Sequence, residues 1–452
     1  MLELFMLPLS ARNLHLRQQM YFKPSYLPSN GAANILVRSL AEELGLSLNK
    51  KYEIILASFL AVAKKVNGHA FDWGTENDNK NLKFWSLFPY VSSKSVSEVY
   101  RLLRKYGYIG AVEDVKAPVI ASAGFEQSNW VKAQRLPKYF MEEATFIESN
   151  LPLVLVNQPE IYEDWIVKEK QFFSALKLDA KQLKQEFGED YALAYRSVKE
   201  MNAFWSQHPL YNPIANEFYA SARRIFHNGC MKSGGHWYGG WTNFKSNKLC
   251  SFTIDGDPVV QIDANAMILC LLSSLTGKPM NMIGSFKDVY QAVFSQIPNI
   301  ANSRDKVKQV IMELVGSGDP NKEKPSSDSE ILDNVGEYIY IRDLCLQSYP
   351  ALKFLNKERF NFINDLSYHE ADILTLTLLN LKQIGVVAYP ERGGLIVRLG
   401  DEFNAVETLK KAYKDYVYSF QKLNKLPELD LDIALTVKLD PANKVVVEGS
   451  TS

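Results

Sequence analysis

Cysteine is scarce in this sequence, and the overall charge is balanced. Only four of the 452 residues are cysteine, and no two are spaced as Cys-x-x-Cys, so a zinc site is not expected. Scattered single thiols are typical of a reducing compartment. Lys and Arg together number 51, as do Asp and Glu, so binding to nucleic acid would have to depend on local basic patches.

Long apolar runs and internal repeats are also lacking. The apolar stretch within the opening residues MLELFMLPLS follows no cationic region and is too short for a signal peptide or a membrane span. We therefore expect a soluble, cytoplasmic protein. Hydrophobic residues make up 46% of the chain, which is enough for two or three domains with their own cores.

A capped basic helix is predicted between residues 92 and 107. Ser92 or Ser93 can cap its start, and Gly107 can end it. Its apolar stripe consists of Val96, Val99, Leu102 and Leu103, and its basic residues are Lys94, Arg101, Arg104 and Lys105. This pattern resembles the recognition helix of a winged helix-turn-helix, which implies contact with DNA or RNA through Arg101, Arg104 and Lys105. The alternative is a small helical domain that binds protein or only packs.

This winged-helix-like domain is expected within residues 1–125, and residues 126–228 are expected to be mainly helical. Charged helical patterns run from Pro159 to Trp205 and from Asn212 to Phe226. These helices suit either a thumb-like region that grips a duplex backbone or a solvated helical spacer.

Two β-hairpins are predicted after residue 228. The first has its turn at Asp255–Asp257 and is followed by an apolar helix from Ala266 to Thr276. The second turns within Glu391–Gly394, and another helix begins at Asp401. Residues 316–334 are expected to form a flexible loop, and residues 421–452 a tail that is acidic and then Val-rich, with a disordered-looking end. The expected fold class is α+β.

Short motifs between residues 229 and 420 resemble those of family A DNA polymerases, in the family's order. Val260–Leu272, with Asp263 at the end of a strand, resembles motif A. Phe286–Phe294 is similar to the Asp-x-His stretch, with Tyr290 where His is usual. Arg304 and Lys308 keep the Arg-x-x-x-Lys of motif B, and Val315-Gly316 stands where an aromatic-Gly pair is usual. Glu370–Leu374 resembles the helix before motif C, and the second hairpin follows it.

A glycine-rich segment completes the resemblance. Gly234–Trp241 resembles the Gly-Arg element that contacts the template in family A enzymes and in single-subunit phage RNA polymerases, with His236 in place of Arg. The segment is also similar to that of a compact, divergent group from phages and mobile elements. Trp237 and Tyr238 suit stacking on bases, and Gly234 and Gly235 suit close approach to a phosphate. Packing of a tight turn explains the same residues equally well.

The resemblance implies a right-hand polymerase-like palm and fingers, with Mg²⁺ or Mn²⁺ held by two carboxylates. Asp263 would be the first. The family's His-Asp of motif C falls on Arg392-Gly393, so the second carboxylate is missing there, and Glu391 is the candidate that could replace it. Residues implied in nucleotide binding are Tyr290, Arg304, Lys308, Val315 and Gly316. Expected partners are a DNA or RNA primer-template, nucleoside triphosphates and a replication or transcription protein.

Three functions therefore stay open from the sequence. The first is a divergent or degenerate nucleotidyltransferase of phage or mobile-element replication or transcription, whose activity the altered motif C leaves undecided. The second is a non-catalytic protein that binds DNA or a partner through the winged-helix-like region, with the palm as a scaffold. The third is an unrelated α+β protein in which the order of the motifs is chance.

Overall fold

The computed structural model shows a mixed α+β protein. It describes residues 25–66, 70–73, 90–111, 130–148, 153–156, 180–244, 246–280, 288–325, 334–355, 362–391, 393–429 and 433–438. The described part of the chain forms two compact units: residues up to 153 together with 209–222 make the N-terminal unit, and residues 154–208 together with those from 223 make the C-terminal unit. No helix in the described ranges is long and apolar enough to cross a membrane.

The secondary structure is numbered in chain order. The strands are β1 (Tyr26–Pro28), β2 (Ala70–Asp72), β3 (Ile109–Ala111), β4 (Trp130–Ala133), β5 (Phe146–Glu148), β6 (Val154–Val156), β7 (Leu210–Asn212), β8 (Glu217–Tyr219), β9 (Ala222–Phe226), β10 (Gly234–Gly239), β11 (Thr253–Ile254), β12 (Asp257–Asn265), β13 (Ala388–Glu391), β14 (Gly394–Arg398) and β15 (Ala434–Lys438). The α-helices are α1 (Gly31–Glu43), α2 (Lys50–Val66), α3 (Ser93–Lys105), α4 (Lys138–Glu143), α5 (Ala180–Trp205), α6 (Ser246–Leu249), α7 (Met267–Thr276), α8 (Gln291–Phe294), α9 (Ser303–Ser317), α10 (Val335–Ser348), α11 (Phe362–Gln383) and α12 (Glu402–Leu423).

The core of the N-terminal unit is built around helix α2. Ile54, Ile55 and Phe59 are fully buried, as the broad apolar face of this helix predicts. Helix α1 packs on α2 and begins at Asn30, whose side-chain oxygen accepts a hydrogen bond from the Ala33 amide at 2.9 Å. Such a cap satisfies one of the backbone donors that a helix start leaves free.

Helix α3 confirms the capped helix that the sequence predicts. Ser92 caps it and exchanges hydrogen bonds with Ser95, so both form a capping box. Val96 and Val99 are buried on its inner side. Strands β2, β4 and β3 form an antiparallel sheet with β4 in the middle. Because β4 begins at residue 130, this sheet extends past the domain boundary expected at residue 125.

The C-terminal unit is built on an antiparallel sheet in the strand order β11-β12-β14-β13. Strand β15 pairs with β12 as well. The turn between β11 and β12 has positive φ at Asp255 (55°) and Gly256 (89°), as a two-residue hairpin turn requires. Both predicted hairpins are confirmed, and because β12 pairs directly with β14 they belong to one sheet. The apolar helix predicted after the first hairpin is α7.

The sequence was misread at residues 212–226 and in the tail. Residues 212–226 form strands β7, β8 and β9 rather than a helix. In β9, buried and half-buried side chains alternate, which is the period of a strand. The helix predicted from Asp401 continues to Leu423, and the tail contributes strand β15, which the sequence did not predict. Residues 434–438 form a strand because β12 supplies their hydrogen-bonding partner. The Val-rich end of the tail lies outside the described residues.

Strand β14 approaches β12 too closely for a side chain at Gly394. A Cβ atom there would lie 2.1 Å from the backbone oxygen of Ile262. We therefore predict that Gly394→Ala lowers the free energy of unfolding by about 3 kcal/mol, because the strands must separate to admit the methyl group. Urea unfolding followed by circular dichroism measures the change.

Gly316→Ala is the matched control for this prediction. Gly316 lies in helix α9, and a Cβ there meets no atom within 4 Å. Its alanine variant should be unchanged or more stable by up to about 1 kcal/mol. Equal effects of the two substitutions would contradict the close approach at Gly394.

Candidate functional site

Asp263 and Glu391 lie on either side of one glycine in the central sheet. Asp263 of β12 is in register with Gly394 of β14, and Gly394 is in register with Glu391 of β13. Residues in register in antiparallel strands project their side chains to the same face. The two carboxylates therefore share a face, with no side chain between them.

The surroundings of Glu391, including Asp263, affect its ionisation. Burial raises the pKa of Glu391, and the charge of Asp263 raises it further, whereas Lys438 lowers it. The Asp263 side chain is 40% exposed. The site thus combines one solvent-facing carboxylate with one whose ionisation is opposed by its surroundings.

Two tryptophans fix the strand that carries Glu391. Strand β13 is the last strand in the order β11-β12-β14-β13, so the carbonyls on its outer side have no strand partner in that order. The indole nitrogens of Trp205 and Trp241 donate to the carbonyls of Ala388 and Pro390, each at 2.8 Å. Pro390 fits this row because its missing N–H faces away from β14. Both indoles are fully buried, so the end of β13 is held rigidly.

Lys438 is a site residue that the sequence analysis missed. Its ammonium lies 2.6 Å from the Asp263 carboxylate. Strand β15 brings it there through antiparallel pairing with β12, in which Thr436 is opposite Asp263. The alternation of apolar and polar residues in Ala434–Lys438 is the only signal of this strand in the sequence, and it does not reveal the partner.

Tyr290, Asp288 and Arg304 form a second cluster next to these acids. The Tyr290 hydroxyl is close enough to Asp263 for the carboxylate to affect its titration. Burial is the main reason that the pKa of Tyr290 rises to about 12, with Asp288 and Asp263 adding to the rise and Arg304 opposing it. The Arg304 guanidinium lies 5.4 Å from the centroid of the Tyr290 ring and is bonded to the Asp288 carboxylate. Arg304 is thus already engaged within the protein.

The other predicted residues of helix α9 are on different sides of it. Lys308 and Gly316 are exposed, whereas Val315 is fully buried. Val315 therefore packs in the core of the C-terminal unit and presents no surface on which a base could stack. Gly316 adjoins open space, so no packing within the described residues requires a glycine there.

The glycine-rich strand β10 packs against β9. A Cβ at Gly234 would lie 2.3 Å from the His227 ring, and one at Gly235 would lie 2.7 Å from the Phe226 ring. Both residues also have positive φ, at 76° and 80°. Packing against β9 therefore explains these two glycines without a phosphate.

The aromatic residues of β10 are divided between core and surface. Trp237 is 5% exposed and donates to Thr375 Oγ1 at 2.9 Å, so its ring belongs to the core. His236 and Tyr238 are half-buried and are the side chains of this strand that reach the surface. Stacking on a base by Trp237 would require the ring to leave its core position.

Helix α11 supplies two acids that lie next to strands β9 and β10. Asp372 pairs at 2.8 Å with Arg224, whose Nε also donates to the Gly235 carbonyl at 2.7 Å. Glu370 is buried and lies 3.9 Å from His236. A Cβ at Gly393, in the turn where motif C was expected, would meet Glu370 Oε1 at 3.3 Å, and Gly393 has a φ of 71°. The backbone of this turn therefore favours glycine at the position that the resemblance aligns with Asp. Arg392 lies outside the described residues.

The three basic residues predicted in the N-terminal unit are all exposed. Arg101, Arg104 and Lys105 line a shallow surface depression on helix α3 together with Tyr100. Among the described residues, none of the three basic side chains forms an ion pair with a carboxylate. All three side chains reach solvent.

The donor set near Asp263 suits a hard cation only in part. Among the residues that the structure describes, no three His, Cys, Asp or Glu side chains are grouped to hold a metal ion. Two carboxylates are nonetheless enough for Mg²⁺ when substrate phosphates and water complete its shell. Asp263 and Glu391 share one face of the sheet, and the Lys438 ammonium already lies at the Asp263 carboxylate.

The comparisons with known proteins give a distant structural similarity and no sequence family. No family model matches the chain, and no curated protein sequence matches it. Among solved structures, it is similar to the POL domain of Pol1 from M. smegmatis in complex with a DNA primer-template and dNTP. The identity is 11%, the match covers 90% of this chain and 80% of that one, and the TM-score is 0.34. The function of this chain therefore has to be argued from its own residues.

The raised pKa of Glu391 predicts a pH-dependent stability. The folded protein retains the Glu391 proton to higher pH than the unfolded chain, so stability falls as pH rises above the unfolded pKa of about 4.3. We expect Glu391→Gln to be more stable than the wild type at pH 7, with the difference shrinking as pH falls toward about 4. Urea unfolding of both proteins across this range measures it.

Glu407→Gln, which removes an exposed carboxylate from helix α12, is the control for this comparison. A stability difference between Glu391→Gln and the wild type that stays constant between pH 4 and pH 7 would show that the Glu391 carboxyl is not perturbed.

Proposed function

We propose that this protein binds nucleic acid and is a divergent, polymerase-like nucleotidyltransferase with its acidic site at Asp263 and Glu391. In this proposal residues 229–420 are the palm and fingers, residues 126–228 contain the thumb-like region, and residues 1–125 belong to the winged-helix-like domain. A role in phage or mobile-element replication or transcription is part of the proposal and is supported only by the order of the sequence motifs.

One observation carries the catalytic part of this proposal. Asp263 and Glu391 come from separate hairpins, yet they flank Gly394 on one face of one sheet. The cluster of Tyr290, Asp288 and Arg304 stands close enough for Asp263 to affect Tyr290. An arrangement of two carboxylates next to a basic helix is what metal-assisted phosphoryl transfer needs.

In the proposed reaction, Asp263 and Glu391 would hold Mg²⁺ or Mn²⁺. When bound, the ion would stabilise the attacking and leaving oxygens of the transfer. Lys308, which is exposed on α9, suits the triphosphate of the incoming nucleotide. Arg304 would have to exchange Asp288 for phosphate, so its contribution would require a local rearrangement of that pair.

Primer extension tests the catalytic proposal. Wild-type protein should extend a labelled primer on a DNA or RNA template with Mg²⁺ or Mn²⁺ and a mixture of dNTPs or NTPs. Asp263→Asn should reduce the rate at least about 100-fold, because it removes an anionic ligand of the divalent ion that would stabilise the transfer. Asp415→Asn, at an exposed ion pair on helix α12, is the control and should retain full activity.

The outcome separates catalysis from binding. Extension that survives in Asp263→Asn would exclude this site. No extension by the wild type on any template would reject the catalytic proposal and leave binding as the function.

A specific observation also favours the second function, non-catalytic binding through the N-terminal unit. Helix α3 is followed by β3 and β4, and β4 lies between β3 and the earlier strand β2. This order of the described elements supports a winged helix, in which the helix before the last two strands would enter the major groove. The exposed Arg101, Arg104 and Lys105 on α3 would then contact phosphates or bases.

Salt-dependent binding tests this second function. Replacing Arg101, Arg104 and Lys105 with Gln should weaken duplex binding and lower the slope of log K against log salt by about 3, because up to three phosphate contacts are lost. Fluorescence anisotropy with a labelled duplex measures it. The control variant replaces Arg38, Lys50 and Lys51 with Gln, which removes the same amount of charge. Arg38 and Lys50 are exposed, and Lys51 is half-buried. Identical slopes for the two triple variants would dismiss α3 as the binding surface.

A further inference from the structure

Lys438 holds the position next to Asp263 that a metal ion would need. Its ammonium lies 2.6 Å from Asp263 Oδ2, and 45% of its side chain is exposed. Its charge also acts on Glu391, so a single lysine interacts with both carboxylates. This lysine is delivered by β15 from 175 residues farther along the chain than Asp263.

The strand that carries Lys438 is held mainly by its backbone. Residues Thr436, Val437 and Lys438 are exposed, and Ile433 just before the strand is the buried apolar anchor among the described residues 433–438. Backbone pairing with Gln261–Asn265 adds to the attachment, as do two side-chain bonds among the described residues, from Asn265 to Thr436 Oγ1 at 2.8 Å and from Lys438 to Asp263. A strand with so little buried apolar surface opens at a low free-energy cost.

We propose that β15 is an autoinhibitory strap, in which Lys438 is a tethered cation that excludes a divalent ion from Asp263 and Glu391 until β15 leaves β12. An ammonium and a divalent ion cannot share one carboxylate at bonding distance, because like charges repel and the same lone pairs are used. The strap therefore lets the protein keep its acidic pair neutralised when no substrate is present.

This inference rests on the proposed function, because it assumes that the acidic pair binds a cation. Its consequence is distinct, however. The proposed function requires that Asp263 contributes to the cation site. The strap requires in addition that Lys438 lowers the affinity of this site for the divalent cation. Measuring cation binding in the absence of nucleic acid and nucleotide separates the two requirements.

The test is Mn²⁺ binding to the full chain, measured by electron paramagnetic resonance of the free ion. Lys438→Met should bind Mn²⁺ about tenfold more tightly than the wild type, because the competing charge is gone. Lys438→Arg keeps the cation and should match the wild type. Lys411→Met removes an exposed lysine that pairs with Asp415 on helix α12, so it controls for net charge and should also match.

A reversible lock tests the displacement of the strand. Asn265 and Ala434 are in register on β12 and β15. In Asn265→Cys/Ala434→Cys, an oxidised cross-link should hold Lys438 on Asp263 and weaken Mn²⁺ binding at least about tenfold relative to the same variant after reduction. Equal affinities of the oxidised and reduced forms would overturn the requirement that β15 leaves.

The outcomes distinguish the strap from the proposed function. Mn²⁺ binding that is lost in Asp263→Asn but unchanged in Lys438→Met overturns the strap and leaves the proposed function standing. An absence of Asp263-dependent Mn²⁺ binding in all variants, including Lys438→Met, overturns the strap, and primer extension then decides the proposed function separately.

Discussion

The close approach of β12 to β14 at Gly394 is the constraint on which the site depends. The Ile262 carbonyl occupies the space of a Cβ, so the strands can pair only because residue 394 is glycine. That pairing places Asp263 and Glu391 on one face of the sheet. The indoles of Trp205 and Trp241 then fix the outer side of β13 and with it the position of Glu391.

Charged residues of both signs lie around Gly394, and they partly offset one another. Two carboxylates on one face repel each other, and partial burial of Glu391 adds to the cost of ionising both. The Lys438 ammonium offsets this cost from one side. On the other side, Arg304 and Asp288 neutralise each other next to Tyr290. The proposed divalent cation would compete with the Lys438 ammonium for the Asp263 carboxylate.

The sequence predicted the hairpins and the capped helix, because turn chemistry and capping determine these elements locally. The two hairpins follow from turn chemistry at Asp255-Gly256 and from alternating β-formers, and helix α3 follows from its Ser92 cap. Long-range contacts could not be predicted, because no local signal specifies the partner. Lys438 reaches Asp263 only through pairing of β15 with β12. Val315 and Trp237 were placed near ligands by motif order, whereas their packing puts them in the core.

The central claim is that the Asp263 carboxylate, on the other side of Gly394, raises the pKa of Glu391. The most direct measurement is the pKa of Glu391 from the carboxyl ¹³C shift of labelled glutamate, in the wild type and in Asp263→Asn. The account predicts that the Glu391 pKa falls in the variant, because a neighbouring negative charge is removed and Lys438 no longer has Asp263 as a partner. A Glu391 pKa that is the same in both proteins would contradict it.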